Sequence, residues 1–144
     1  MKIVLKKKTS FQAEYTITRA DKTAELITLD TKTYLLHDIC HYAVEKILNY
    51  QNGFWGMLAQ GYTFSELFGK NNPMTSGLRI IEQIVGLVQS VYSGHIPIKD
   101  YNQYISHLNF TIYENDLISC LSEVNTILNA WEVLPIGEQL TLEF

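Results

Sequence analysis

Alternating apolar and polar residues at the start of the chain predict β-strands. Residues 11–17 place an apolar side chain at every second position, and residues 3–5 repeat the pattern between lysines. A period of two is typical of a strand with one buried face. A turn-forming segment at 20–23 leads into a further apolar segment at 24–29. The pattern therefore predicts three antiparallel strands in sequence, the last two joined as a hairpin.

The middle of the chain changes to helical spacing, with apolar residues three and four positions apart. Thr31 and Thr33 are candidate N-caps of the first long helix, and Thr75 is the candidate cap of another. The predicted helices cover 34–50, 54–60, a short segment opened by a capping box at 63–66, and then 76–93, 98–108 and 116–132. The helix over 76–93 has the widest apolar arc, so it is expected at the centre.

The last residues return to the pattern of a strand. A Pro-Ile-Gly break at 135–137 precedes the segment 139–144, whose Leu140, Leu142 and Phe144 share one face. Strands, then helices, then one strand indicate an α+β fold. We expect a single α+β domain over residues 1–144, in which an N-terminal antiparallel three-stranded meander is joined by a C-terminal strand and packs against a bundle of about five helices.

Charge is scarce and unevenly distributed. Only 18% of the 144 residues are charged, and the net charge is −4. Residues 51–112 carry six charged side chains, and residues 113–144 carry six that are all acidic. No basic helix points to nucleic acid, and no apolar run is long enough to span a membrane. The charge-poor middle is therefore predicted to be either the buried centre of the fold or a contact surface.

The expected compartment is the cytoplasm. The lysine-rich start contains an apolar run of three residues, which is far shorter than that of a secretory signal. Cys40 and Cys120 both lie in predicted helices among apolar neighbours, which favours two buried thiols, with a disulfide as the open alternative.

The candidate chemistry lies on the first long helix. His37, His41 and Glu45 are spaced four residues apart, so they share one helical edge beside the apolar face. Two histidines at this spacing are the ligand pair of the zinc-peptidase signature, in which a glutamate after the first histidine is the general base. Here that position holds Asp38, one methylene shorter, and no downstream ligand motif is identifiable.

The metal hypothesis assigns His37 and His41 as ligands of a divalent ion such as zinc. Glu45, or His95 after the helix over 76–93, is the candidate third ligand, and Asp38 is the candidate base or outer partner. If the protein is an enzyme, this predicts a metal-assisted hydrolase. Two other interpretations stay open: an ordinary hydrogen bond between His41 and Glu45, and a metal-free pocket for an unidentified small ligand.

A hypothesis of a different class is a non-enzymatic interaction protein. Interface centres are depleted in charge and enriched in aromatic residues and Met, which favours contact with a second copy or a partner. The residues concerned are Phe54, Trp55, Met57, Tyr62, Phe64 and Phe68. Three glycines at 53–61 lie around two of these aromatics, Phe54 and Trp55. They indicate that another backbone approaches closely, either that of a packed element or a ligand, and packing is favoured.

Two patterns together resemble a known group of proteins. The pattern L-H-D-x-x-H-Y-x-V-E at 36–45, followed by G-F-W-G-x-L-A-x-G at 53–61, resembles a small family of uncharacterised bacterial proteins. The resemblance implies a bacterial cytosolic protein. It assigns no activity and no catalytic residues.

Overall fold

The computed structural model describes residues 1–68, 75–106 and 110–144. The strands are β1 (Lys2–Lys7), β2 (Gln12–Thr18), β3 (Ala24–Asp30) and β4 (Gln139–Glu143). The helices are α1 (Leu35–Ile47), α2 (Phe54–Ala59), α3 (Phe64–Phe68), α4 (Ser76–Tyr92), α5 (Tyr101–Ile105) and α6 (Glu114–Val133), with a 3₁₀ turn at Ile98–Asp100. The predicted α+β class is confirmed. The predicted end of the fifth helix at Leu108 lies outside the described residues.

The strands form one antiparallel sheet in the order β3-β2-β1-β4. Leu5 of β1 lies opposite Tyr15 of β2 on one side and Leu140 of β4 on the other. The C-terminal strand therefore joins the meander, as predicted, and the structure places it at the β1 edge. The alternate apolar residues of β1 and β2 are fully buried, so this face of the sheet forms one wall of the core.

Helix α1 is surrounded by other elements. Every residue from Asp38 to Glu45 is buried, and α1 contacts α2, α4 and α6. Helix α4 instead keeps one exposed stripe, which includes Arg79 and Gln83. The expectation that α4 is the central helix was therefore wrong, because α1 is the helix enclosed on all sides.

The predicted caps succeed at two helices and fail at one. The Leu78 amide donates to Thr75 Oγ1 at 3.1 Å, and Thr63 and Glu66 form the expected reciprocal capping box. At α1, neither predicted threonine caps the helix, which begins after Tyr34 with no side-chain cap. Thr33 instead donates to Asp30 in the preceding turn.

Two glycines provide a matched test of the packing. A Cβ at Gly56 would lie 2.2 Å from the Gln51 carbonyl oxygen, whereas a Cβ at the exposed Gly86 of α4 would meet nothing within 4 Å. We expect Gly56→Ala to lower the free energy of unfolding by about 1–3 kcal/mol and Gly86→Ala to raise it by about 0.5–1 kcal/mol. Urea denaturation measures both, and changes of the same sign would contradict this packing.

The two cysteines are free, buried thiols, as the favoured interpretation predicted. Burial raises the pKa of both Cys40 and Cys120 to about 12, and the reactive species is the thiolate. At about pH 8 we therefore expect a disulfide reagent to label neither thiol in the folded protein and both in guanidinium. Rapid labelling of the native protein would show that the packing of α1 against α6 is looser than described.

Candidate functional site

Helices α1 and α4 bring three metal-ligand side chains together. His37 and His41 project from successive turns of α1, and Glu82 faces them from α4. His37 Nε2 lies 3.5 Å from Glu82 Oε2, and His41 Nε2 lies 3.2 Å from Glu82 Oε1. One ligand atom from each of the three residues lies within 4.8 Å of the others, which makes the group a candidate metal centre.

The opposite nitrogen of each imidazole is held by a second side chain. His37 Nδ1 donates to Gln89 Oε1 at 3.1 Å, and His41 Nδ1 donates to Glu45 Oε1 at 2.9 Å. Such a partner fixes the orientation and tautomer of a histidine and leaves Nε2 available. Both rings therefore present Nε2 to the same point.

Glu45 is itself fixed by the loop before α2 and by α2. It is fully buried, and its Oε2 accepts a hydrogen bond from the Gly56 amide at 2.9 Å. A Cβ at Gly53 would lie 2.3 Å from the Glu45 carboxyl carbon, so only glycine fits there without a shift. The glycine-rich stretch is thus a close approach of backbone to a buried carboxylate, which agrees with the favoured packing interpretation.

The three facing groups shift one another's protonation. Burial disfavours the charged form of His41, but hydrogen bonds to Glu45 and Glu82 outweigh it and raise its pKa to about 9. The hydrogen bond to Glu82 also raises the pKa of His37. Burial works against ionisation of Glu82, yet the two histidines lower its pKa to about 2. Without metal, the Glu82 carboxylate therefore contacts a protonated His41 at neutral pH and lies beside His37.

Asp38 is buried beside the Tyr15 hydroxyl, and the two groups affect each other's pKa. Asp38 is 2% exposed, and neither its Oδ2 nor the Tyr15 hydroxyl makes a hydrogen bond of good geometry within the described residues. Burial raises the pKa of Asp38 to about 7, and it also raises that of Tyr15 well above its usual value. The Asp38 carbonyl oxygen accepts a hydrogen bond from Trp55 Nε1 at 2.9 Å, which holds this turn of α1 against α2.

A cavity of about 220 Å³ opens beside these groups. Its polar wall consists of His37, Asp38, His41 and Glu82. Its apolar wall consists of Tyr34, Phe54, Leu67, Phe68 and Leu78. A molecule in the cavity would therefore contact apolar side chains on one side and the candidate metal centre on the other.

The structure brings together some of the predicted site residues. His37 and His41 meet as predicted, and Asp38 lines the same cavity. Glu45 lies behind His41, where it makes the hydrogen bond that the structural interpretation predicted. His95 is exposed beyond the end of α4. Neither Glu45 nor His95 belongs to the three-residue group found among the described residues.

Sequence reasoning missed Glu82 as the third member. Glu82 and Gln89 are seven residues apart, which places both on the same face of α4. The available signal was that Glu82 is one of the few charges in the charge-poor middle, on the helix that follows the histidines.

Comparison with protein-family models, curated proteins and solved structures finds no match to this chain. The resemblance to uncharacterised bacterial proteins therefore stays a prediction. Within the described parts of the chain, none of the helices combines the length and the apolar character that crossing a bilayer requires.

The Glu45–His41 pair predicts a pH-dependent effect of Glu45→Gln in the metal-free protein. The pKa of His41 is about 9 against roughly 6.5 in the unfolded chain. Its stabilising effect is therefore complete below about pH 6.5 and is lost as pH rises through about 9. We expect Glu45→Gln to cost roughly 1.5–3 kcal/mol near pH 6 and clearly less near pH 9.5.

Urea denaturation at the two pH values measures the difference. The exposed Glu132 provides the matched control, since Glu132→Gln leaves the pair intact. An equal loss at both pH values would contradict a role of Glu45 in holding protonated His41.

Proposed function

We propose that His37, His41 and Glu82 bind a divalent metal ion such as zinc, and that the protein uses this ion in metal-assisted hydrolysis. The observation that carries the proposal is that both Nε2 atoms and one carboxylate from a second helix converge, while other side chains hold both Nδ1 atoms from behind. Two histidines and a glutamate are a known catalytic zinc ligand set.

The contacts of Glu82 with the two histidines can be compared with the spacing of ligand atoms around zinc. Zinc–nitrogen and zinc–oxygen bonds of about 2.0–2.1 Å at tetrahedral angles place neighbouring ligand atoms about 3.3 Å apart. Glu82 makes these contacts through different oxygens, with Oε1 3.2 Å from His41 Nε2 and Oε2 3.5 Å from His37 Nε2. The three ligand atoms lie within 4.8 Å of one another, so metal binding would draw them closer together and displace protons from the site.

The surroundings of the three ligands also support the proposal. A histidine that binds metal usually donates its other nitrogen to a carboxylate or carbonyl oxygen, which strengthens the metal bond. Glu45 and Gln89 occupy these outer positions. Glu45 is thus proposed as an outer partner of the metal through His41, in place of the direct ligand expected from the sequence.

The hydrolase part of the proposal depends on Asp38 and on an open coordination position. Three protein ligands leave the fourth position of a tetrahedral zinc ion for water, whose pKa the ion would lower. Asp38 follows the first histidine, as the general base does in the zinc-peptidase signature, and it is among the residues that line the cavity. We assign Asp38 as the base that accepts a proton from the attacking water.

The interaction hypothesis stays a prediction without added support. Four of its six residues, Phe54, Trp55, Met57 and Phe64, are buried in the core, which leaves Tyr62 and Phe68 partly exposed. These four residues of the charge-poor middle therefore belong to the interior of the fold. A cytoplasmic location is proposed because both cysteines are free thiols, as a reducing compartment would keep them.

Zinc titration of untagged, chelator-treated protein tests the metal site. We expect roughly one equivalent to bind and to raise the melting temperature, because a ligand of the folded state stabilises it. Glu82→Gln and His37→Ala should weaken zinc binding by more than about 100-fold, beyond the usual cost of losing an outer partner. Two exposed residues provide matched controls. The Glu132→Gln and His95→Ala variants should bind zinc normally.

A variant of Asp38 separates zinc binding from hydrolysis. Asp38→Asn should retain zinc and lose the zinc-dependent hydrolysis of a small ester such as 4-nitrophenyl acetate, since Asp38 is proposed as base and not as ligand. Less than about a tenth of an equivalent of zinc, nickel, iron or manganese, with no change in melting temperature, would overturn the metal site.

A further inference from the structure

The cavity beside the candidate metal centre is lined on one side by a connected series of aromatic rings. The series starts at His41, whose ring centroid lies 5.8 Å from that of Phe54. The Phe54 ring meets Phe68 edge to face at 5.3 Å, and Phe68 meets Tyr34 in the same way at 5.6 Å. Each ring holds the next in a preferred geometry, so this aromatic wall has a defined shape. It begins directly beside a proposed metal ligand.

A ring bound on the aromatic wall would lie close to the metal centre. His41 and Phe54 are neighbours, and both line the cavity. A ligand that reaches from a metal ion at His41 to the Phe54 ring spans a separation similar to that of the two rings, 5.8 Å. With bonds of about 1.5 Å, one or two atoms between the metal-binding group and the ring are enough. The linker of such a ligand is therefore short.

The volume of the cavity limits the ligand to one ring. The cavity encloses about 220 Å³. An apolar protein cavity of roughly 150 Å³ holds benzene, and pockets for drug-sized ligands begin at roughly 300 Å³. The space therefore fits one ring with a short head group. Leu78, which is 2% exposed, extends the apolar surface that such a ring would cover.

The polar side of the cavity determines the head group. It contains both signs of charge, since His41 is protonated without metal and Asp38 and Glu82 are acidic. Charge alone therefore selects neither an anion nor a cation. A zinc ion in the site would offer its open position to an oxygen atom, either of a carboxylate or of a carbonyl group that it polarises. The expected head group is one of these two.

We propose that the substrates of the metal centre combine a carbonyl group with one ring-sized apolar group one or two atoms away, and that Phe54 and Phe68 select this group. Esters and amides of phenylacetic acid belong to this class. The inference names the substrate class of the hydrolase, so it rests on the proposed function. Contact between the ring and the aromatic wall needs no metal, so the two can fail separately.

Two pairs of probes that differ by one ring test the aromatic wall with and without zinc. On zinc-loaded protein, phenylacetate should bind about 10- to 100-fold more tightly than acetate, the effect of burying one aromatic ring. On chelator-treated protein, phenylacetamide should likewise bind more tightly than acetamide. Methyl NMR reports the position of the ring. Either ring-bearing probe should shift the Leu78 methyl resonances and leave those of Leu26, which is 59% exposed on β3, unchanged.

A variant of Phe68 tests the selecting role of the aromatic wall. Phe68 is 39% exposed, and Phe68→Ala should weaken phenylacetate binding about 2- to 10-fold, the range of one aromatic contact. Acetate binding should not change. Phe11, which is 53% exposed before β2, provides the matched control, since Phe11→Ala should change neither. For the unaltered protein, diphenylacetate should bind more weakly than phenylacetate, because the cavity holds one ring.

Equal binding within either pair of probes, tighter binding of diphenylacetate, or a Leu26 shift as large as that of Leu78 would overturn the proposal. If zinc binds normally and the ring gives no preference, the substrate class fails and the metal site stands. If phenylacetamide keeps its preference and zinc does not bind, the ring site is supported, and the metal centre and the hydrolase are overturned.

Discussion

The buried carboxylate of Glu45 is the interaction on which the rest of the site depends. One of its oxygens accepts from His41 on its own helix, and the other accepts from the Gly56 amide on α2. A fully buried carboxylate is costly unless such partners satisfy it. The local sequence follows from this requirement, because the backbone must approach closely enough to donate, and a side chain at Gly53 would collide with the carboxyl group.

The same interaction determines the geometry of the candidate metal centre. Since Glu45 holds Nδ1 of His41, the other nitrogen of that ring must face α4, where Glu82 lies. Trp55 adds a second bond from α2 to α1 through the Asp38 carbonyl oxygen. The orientation of the histidine-bearing edge is thus fixed from the α2 side, and α4 completes the site from the opposite side.

How much of this could be predicted depends on whether a feature is local in the sequence. The spacing of His37 and His41 required only the helical period, and the caps at Thr63 and Thr75 required only adjacent residues. The role of Glu82 could not be predicted from the sequence, because a polar residue on a helix is equally consistent with exposure to solvent and with a polar neighbour. The packing of α4 against α1 decides between these, and it depends on long-range contacts. The burial of α1 was missed for the same reason, since its histidine edge was assigned to the border of an amphipathic helix.

The stability of the fold does not explain why so many polar groups meet at this position. Apolar residues of similar volume can replace a buried ionic cluster at little cost or with a gain in stability. Glu45 and His41 satisfy each other, whereas the carboxyl group of Asp38 is buried without a hydrogen bond of good geometry and its burial costs free energy. The buried Asp38 carboxyl group, the converging Nε2 atoms and the cavity lie side by side. Their common location is what a binding site requires, and packing alone gives no reason for it.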